Sequence, residues 1–319
     1  MAAKKSGSRK TSRKQKSKAS KAIAVLLFIV FLFIIIAEGL GYDPVGFVKR
    51  KLGLVFSSGV SDDMSVHFID VGQGDCIYIS AGGENMLIDC GEASEFQKVA
   101  DYLNGMGVSR LDAVVATHPH SDHMGGMSSV IMNYDIGEII MPHIDDRDIP
   151  TTRYFEKFID ACEEKNVQIT EACPGNVIKI GDAEAEIIAP CSDEYKNTND
   201  YSVGILLTHG SNSFLFTGDA ETFSEEEMIE SGRLRHVRVY KAGHHGSTTS
   251  TSDDFLKIVS PEYAVIMCGS GNSYGHPHKE TIEKLSNYVK QIYRTDLNGN
   301  IVFESDGFNL HISVQKGEQ

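Results

Sequence analysis

The sequence predicts an α+β protein in which two packed β-sheets are covered on the outside by helices, preceded by an amino-terminal membrane helix. Three observations carry this. From Met64 onward, short β-branched or apolar runs alternate with helix-spaced segments. Strands dominate early, helices are inserted in both halves, and no repeat or internal linker interrupts them. One unbroken apolar run follows a basic tail near the start.

Lys4 to Lys21 is rich in Ser, Lys and Arg and nearly devoid of apolar residues, so residues 1–21 are expected to be a disordered cytoplasmic tail. Ala22 to Ala37 (AIAVLLFIVFLFIIIA) is an apolar run of 16 residues. That is short against the roughly 17–25 of a usual span, but workable once flanking side chains snorkel. A cleaved signal peptide shares this layout, but no clear A-x-A site precedes Glu38, so residues 22–37 are read as an uncleaved anchor. Nine Lys or Arg lie before it, against Lys49, Arg50 and Lys51 beyond it, which places the following domain outside the cell. The Gly- and Ser-rich residues 38–62 read as a linker, and 63–319 as one domain.

Within that domain SVHFIDV, CIYISA and NMLIDC are strands separated by GQG and GGE turns. Glu95–Gly105 has helical spacing, with Phe96, Val99, Ala100 and Leu103 on one face. LDAVVAT is a buried-type strand running into a histidine-rich loop. Thr151–Lys165 reads as a helix. NVIKI, AEAEIIA, VGILLTH and NSFLFTG follow as strands, the last two forming a hairpin. Glu221–Glu230, Asp253–Val259 and Lys279–Val289 read as helices, and HVRVYK, YAVIMC, IVFES and FNLHISV as strands.

Charge is unevenly spread. Residues 1–37 hold nine basic and no acidic side chains before Glu38, leaving 21 basic against 44 acidic and a formal charge of −23 on the rest. An acidic body lacks the usual basic footprint of a nucleic-acid binder, although bound divalent cations offset charge locally. The six cysteines form no CxxC pair, which disfavours a redox motif or zinc knuckle. Buried free thiols are expected, with one or two disulfides as the alternative for an extracytoplasmic domain.

The strongest chemical signal is His118-Pro-His120-Ser-Asp122-His123, followed by Gly125 and Gly126. Alternating His118 and His120 at a strand end can aim two imidazoles at one ion, and Asp122 and His123 can reach a second. Imidazole and carboxylate are ligands that zinc, manganese and iron accept.

HxHxDH after an apolar strand and before glycines resembles the signature of the metallo-β-lactamase fold, an αββα four-layer sandwich. FIDVGQGDCIYI, LIDCGE, TGDA, KAGHHGSTTS and YGHPH, in that order over residues 64–305, resemble the hydrolase domain of ComEC-type DNA-uptake (competence) proteins. The resemblance implies two divalent ions, zinc first and manganese second. It assigns His118 and His120 to the first ion, and Asp122, His123 and His244 to the second. Asp219 bridges them, and His245, the alternative to His244 as ligand, is otherwise left to contact substrate as a catalytic group beside Asp122. Between HxHxDH and Asp219 many relatives supply a further histidine. Here NTNDYSVGILL stands instead, offering Asn199 or Asp200 as a weak or indirect ligand, with His143 and His209 the only histidines nearby. DVGQGD (Asp70, Gln73, Asp75), Ser247, and Tyr274, His276 and His278 of YGHPH are the substrate-binding candidates. Two glycines give the DVGQGD backbone close access to a ligand, with an ordinary tight turn as the alternative. The YGHPH histidines divide between substrate contact and surface capping.

Two cations bridged by Asp219 would lower the pKa of a shared water and neutralise charge at the attacked centre, a machinery that suits esters, lactams and phosphodiesters alike. The resemblance tilts the expectation to a metal-dependent phosphodiesterase or nuclease, with single-stranded DNA the leading substrate and no stable protein partner. A hydrolase of small esters, lactones or lactams is the alternative, as is a non-catalytic binding module with an incomplete first-ion site. A single apolar run does not extend the resemblance to DNA transport.

Overall fold

The computed structural model describes residues 63–145, 147 and 149–317. The tail, the membrane helix and the linker expected at residues 1–62 lie outside the described residues. Among those described, no helix is long and apolar enough to cross a membrane.

The first sheet has eight strands in the order β15-β14-β1-β2-β3-β4-β5-β6. These are β1 (Met64–Phe68), β2 (Ile77–Ala81), β3 (Glu84–Ile88), β4 (Arg110–Val115), β5 (Asp135–Met141), β6 (Ile169–Glu171), β14 (Ile301–Ser305) and β15 (Leu310–Val314). It is antiparallel from β15 to β3 and parallel from β3 to β6. The second sheet has seven, ordered β13-β12-β11-β10-β9-β8-β7. They are β7 (Val177–Ile180), β8 (Ala183–Ala189), β9 (Gly204–His209), β10 (Asn212–Phe216), β11 (Val239–Lys241), β12 (Tyr263–Ile266) and β13 (Gln291–Arg294). Antiparallel pairing from β7 to β10 gives way to parallel pairing from β10 to β13.

Period-2 alternation explains how each strand serves two layers. In β4, Ala113 and Val115 face the space between the sheets, whereas Val114 between them faces outward under helices. Phe68, Ile77 and Ile79 meet Phe214, Phe216, Val239 and Val265 in the central layer. Helices α1 (Phe96–Gly105), α2 (Ser121–Met124), α3 (Met127–Asn133) and α4 (Arg153–Lys165) lie in the chain between strands of the first sheet. Val99, Leu103, Val130 and Phe158 bury its outer face. Helices α5 (Thr222–Glu230), α6 (Asp253–Val259) and α7 (Lys279–Ser286) do the same for the second sheet through Met228, Phe255, Leu256 and Leu285. The short α8 (Thr295–Asn298) joins β13 to β14. The result is two sheets face to face with helices outside both.

Two expectations need correction. HVRVYK is a strand only from Val239, because Arg238 turns its guanidinium to Glu262 and Asn212 and His236 is exposed. Lys279–Val289 is helical only to Ser286, after which Asn287 caps the last turn. All six cysteines are free: Cys76, Cys90, Cys162 and Cys268 are buried, and Cys173 and Cys191 exposed.

Candidate metal centre

Loops at the ends of β1, β3, β4, β10, β11 and β12 meet over one buried cluster. Asp219 is its hub, held by a backbone N–H bond to Ser202 Oγ at 3.0 Å. Around its Oδ2 stand four imidazole Nε2 atoms: His123 at 3.2 Å, His245 at 3.3 Å, His244 at 3.8 Å and His118 at 4.0 Å. His123 Nε2 and His245 Nε2 are 3.3 Å apart, and Asp122 Oδ2 lies 3.2 Å from His245 Nε2. His118 Nε2 and His120 Nδ1 are 2.9 Å apart. For comparison, two nitrogens on one tetrahedral zinc at 2.0–2.1 Å are about 3.3 Å from each other.

The far sides of the four rings around Asp219 are tied down, which orients Nε2 of each toward it. His123 Nδ1–H donates to Asp89 Oδ2 at 2.7 Å. Asp89 also accepts the Thr117 backbone N–H at 2.8 Å and the Thr117 hydroxyl at 2.6 Å. Its carboxylate is thus shared between the loop before α2 and the ring on it. The Thr117 oxygen then accepts from His118 Nδ1 at 3.1 Å. His245 Nδ1 bonds the Met267 carbonyl at 3.0 Å, and His244 Nδ1 lies 3.0 Å from Thr249 Oγ1. An imidazole whose Nδ1–H is satisfied presents the Nε2 lone pair, the usual preparation of a metal-binding histidine.

Asp75, His123, Asp219 and His245 form a compact buried group able to hold a cation. Atom by atom, Asp75 is the outlier. It approaches the Nδ1 sides, 3.4 Å from His245 and 3.9 Å from His123, whereas Asp219 and Asp122 sit at the Nε2 sides. Asp75 therefore lies behind the rings, where it orients them. Lys241 completes this rear layer. Fully buried, its Nζ ion-pairs with Asp75, donates to the Gly218 carbonyl at 2.9 Å and lies 3.8 Å from Asp219 Oδ1. The ammonium faces one Asp219 oxygen and the imidazoles face the other.

These contacts govern protonation. Against burial, the Asp219 and Asp89 carboxylates raise the His123 imidazole well above its usual range while no cation occupies Nε2, and Asp219 and Asp122 do the same for His245. Burial, helped by neighbouring His123, keeps His118 neutral, and burial lowers His244 too. Burial works to raise the Asp122 carboxyl, but the His245 hydrogen bond and His123 outweigh it and keep Asp122 ionised. The donor set is three to four imidazoles with ionised carboxylates around one oxygen, which fits divalent transition-metal ions.

The other candidates divide. His245, not His244, meets Asp122 and His123, reversing the expected order of the pair. Both residues adopt left-handed backbone (φ 48° and 54°), which sends His245 inward and leaves His244 at the rim beside Thr249 and Glu221. DVGQGD approaches the protein's own backbone. A Cβ on Gly74 would lie 2.2 Å from the Asp122 carbonyl, and Asp75 is buried. Asp70 turns away to Lys316 at 3.2 Å, and Gln73 Oε1 accepts the Gly269 N–H at 3.2 Å. Asn199 donates to Glu221 at 3.0 Å and Asp200 accepts the Glu221 N–H at 3.0 Å. Ser247 Oγ accepts from Thr249 at 3.1 Å, and His278 Nδ1 accepts the Thr248 N–H at 3.0 Å. His276 stands at the mouth, its ring 5.4 Å from that of His244, with exposed Tyr274 stacked on it at 5.6 Å. Burial and the neighbouring histidines lower His276 to about 4. His143 pairs with Glu171 at 3.4 Å on the surface, and His209 is buried against Ser305.

A model of the metallo-beta-lactamase superfamily matches residues 69–270, more than half of the chain. The chain belongs to this superfamily. It is 28% identical over 262 residues to "ComE operon protein 3" of Bacillus subtilis, covering 76% of this chain and 33% of that protein. It is also 28% identical over 278 residues to "Competence protein ComA" of Neisseria gonorrhoeae, covering 85% and 37%. The chain thus spans about a third of the length of these competence relatives. Among solved structures, the metallo-beta-lactamase fold protein YhfI from Bacillus subtilis aligns at a TM-score of 0.51 with 13% identity, covering 77% of this chain and all of that one. The diiron β-hydroxylase CmlA from Streptomyces venezuelae aligns at 0.51 with 13% identity, covering 82% and 60%. At such identities these two speak to the fold alone.

Proposed function

We propose that this protein is a metal-dependent phosphodiesterase acting on DNA or a related phosphodiester, held at the outer face of a membrane by its amino-terminal segment. The observation that carries the proposal is the convergence of imidazole Nε2 atoms on Asp219 Oδ2, each ring fixed from behind. The match to a protein named for competence, and the resemblance of the motifs to DNA-uptake proteins, support the substrate class. The basic tail and apolar run support the location.

His123, His245, Asp122 and Asp219 would hold one cation, with His118 and His120 holding a second that Asp219 shares. Such cations supply Lewis-acid charge and make water a nucleophile near neutral pH. The protein's own contribution is to fix the ligands before substrate arrives. Asp89, Met267 and Thr249 set ring tautomers, and Lys241 restrains Asp75 and faces Asp219. Neutral His276 at the mouth is placed to donate a hydrogen bond to an anionic substrate oxygen, and Tyr274 beside it offers a flat face to a base.

The test is divalent-metal-dependent cleavage of single-stranded DNA and of bis-p-nitrophenyl phosphate by the purified protein, beside His120→Ala and Asp122→Ala. Metal-dependent cleavage lost in both variants is expected. Equal cleavage by all three contradicts the assignment.

A further inference from the structure

We propose a second binding site in this protein: the open edge between the two sheets takes up an extended basic and apolar peptide segment as a strand beside β7. The site stands apart from the metal centre, none of whose residues lines it.

The two sheets end on strands that do not cover each other. β7 closes the second sheet and meets β3 of the first, where the Gly181 N–H donates to Glu84 Oε2 at 2.7 Å and a Cβ on Gly82 would stand 2.9 Å from Gly181 Cα. The first sheet continues past β3 through β4, β5 and β6, and among the described residues the second sheet has no strand beyond β7. A cleft of about 620 Å³ remains there, floored by Ala113, Ile140, Ile178 and Ile180. Ala113, Ile140 and Ile180 belong to the buried central layer, so this floor is the edge of the core itself. On the two edge strands Val177 and Ile169 are exposed. An edge strand offers its unpaired N–H and C=O groups as a template, and an added strand settles about 4.8 Å away. The cleft thus combines a backbone template with an apolar floor, the two requirements for taking up an extended peptide.

Charge selects the occupant. Glu84, Asp112, Glu138 and Glu171 line the cleft, against Lys179. Three of these acids are engaged: Glu84 by Gly181, Asp112 by Arg110 at 2.8 Å and Glu171 by His143 at 3.4 Å. Lys179 reaches back to Glu184 on β8 at 3.8 Å. Glu138 is different. It stands two residues before Ile140 on the same face of β5, and its carboxylate accepts the Thr170 hydroxyl at 3.2 Å. Among the described residues no basic side chain pairs with it. An incoming strand with a Lys or Arg two positions from an apolar residue answers both Glu138 and Ile140. A second copy of this chain, paired edge to edge, would set the same acids against one another.

The experiment is fluorescence anisotropy of a labelled peptide of alternating Val and Lys added to the full-length protein, in chelator so that the metal centre plays no part. Two control probes accompany it: the same peptide with every backbone amide N-methylated, which keeps the side chains and removes the N–H donors, and a Val/Glu peptide. The Val/Lys peptide should bind saturably and slow hydrogen exchange in β7. N-methylation should weaken it at least about tenfold, and the Val/Glu peptide should not bind. Glu138→Lys should weaken the Val/Lys peptide on the order of tenfold, whereas Glu164→Lys, exposed on α4, should leave it within about twofold. Equal binding of the N-methylated peptide, or undiminished binding by Glu138→Lys, would reduce the effect to general attraction for an acidic protein and overturn the site. A wild type that binds none of the peptides would show the acids to be edge protection alone, and would overturn it too.

Discussion

Lys241 shows what a single residue does here. Its side chain is fully buried and tied to Asp75, with the Gly218 carbonyl and Asp219 around it. The carboxylates raise it against burial and keep it charged, and Asp75 is correspondingly held below its usual range. Replacing it with Met leaves Asp75 a buried charge without its counterion, a change that costs about 3–5 kcal/mol. Lys241→Met should therefore lower the melting temperature of the metal-free protein markedly, a shift visible by scanning calorimetry. A surface variant such as Lys257→Met should leave it nearly unchanged, since Lys257 pairs with Asp254 in solvent. Nothing in the sequence distinguished Lys241. A lysine closing a strand reads as a solvated end, and only the packing of Asp75 and Asp219 against it shows otherwise. Asp89 was quoted within LIDCGE without a role for the same reason, because its partners Thr117 and His123 come from another loop.

At the scale of elements, the site is a matter of loops meeting at strand ends. The turn after β1 touches α2 so closely that the Asp75 N–H bonds the Asp122 carbonyl at 3.1 Å, with Gly74 (φ 129°) between them. A methyl group there would collide with that carbonyl, whereas Gly72 (φ 75°) faces open space. Gly72→Ala should cost only the left-handed penalty, roughly 1–2 kcal/mol. Gly74→Ala should also displace Asp122 and sharply weaken metal binding, measured by competitor titration. Much of this level was legible in the sequence: the strand runs, the hairpin at Gly210, α1, α4 and the HxHxDH loop follow from periodicity and turn chemistry. The stretch 121–141 was not. α2 and α3 together span little more than ten residues, too short for a 3.6-residue period to declare itself, and β5 carries Gly137, forced by the Asp112 carbonyl 2.3 Å from where a Cβ would stand. The order of His244 and His245 was equally hidden, since it depends on backbone dihedrals and not on spacing.

For the whole molecule, the centre couples protons, metal and stability. In the metal-free protein His123 and His245 have pKa values raised above 6.5. Their stabilisation is fully present below the unfolded value and is lost as pH rises through the folded one. His118 and His244, held neutral by burial, act in the opposite window, losing stability as pH falls below 6.5. Above pH 6.5 the first pair decides. The melting temperature of the chelated protein should fall as pH rises from 6.5 toward 9, while the increase produced by added metal should grow, because ligation needs neutral imidazoles. Differential scanning fluorimetry with and without chelator checks both slopes, and parallel slopes contradict the coupling. The six cysteines are unpaired, and burial raises the thiols of Cys76, Cys90, Cys162 and Cys268.

The most direct test of the central claim is metal dependence of turnover. Protein stripped by chelation and desalted should be inactive on bis-p-nitrophenyl phosphate and single-stranded DNA. Zinc or manganese should restore cleavage to the wild type but not to Asp219→Ala. Undiminished cleavage by the stripped protein, or full activity in Asp219→Ala, would contradict the claim that imidazoles gathered on Asp219 hold the catalytic cations.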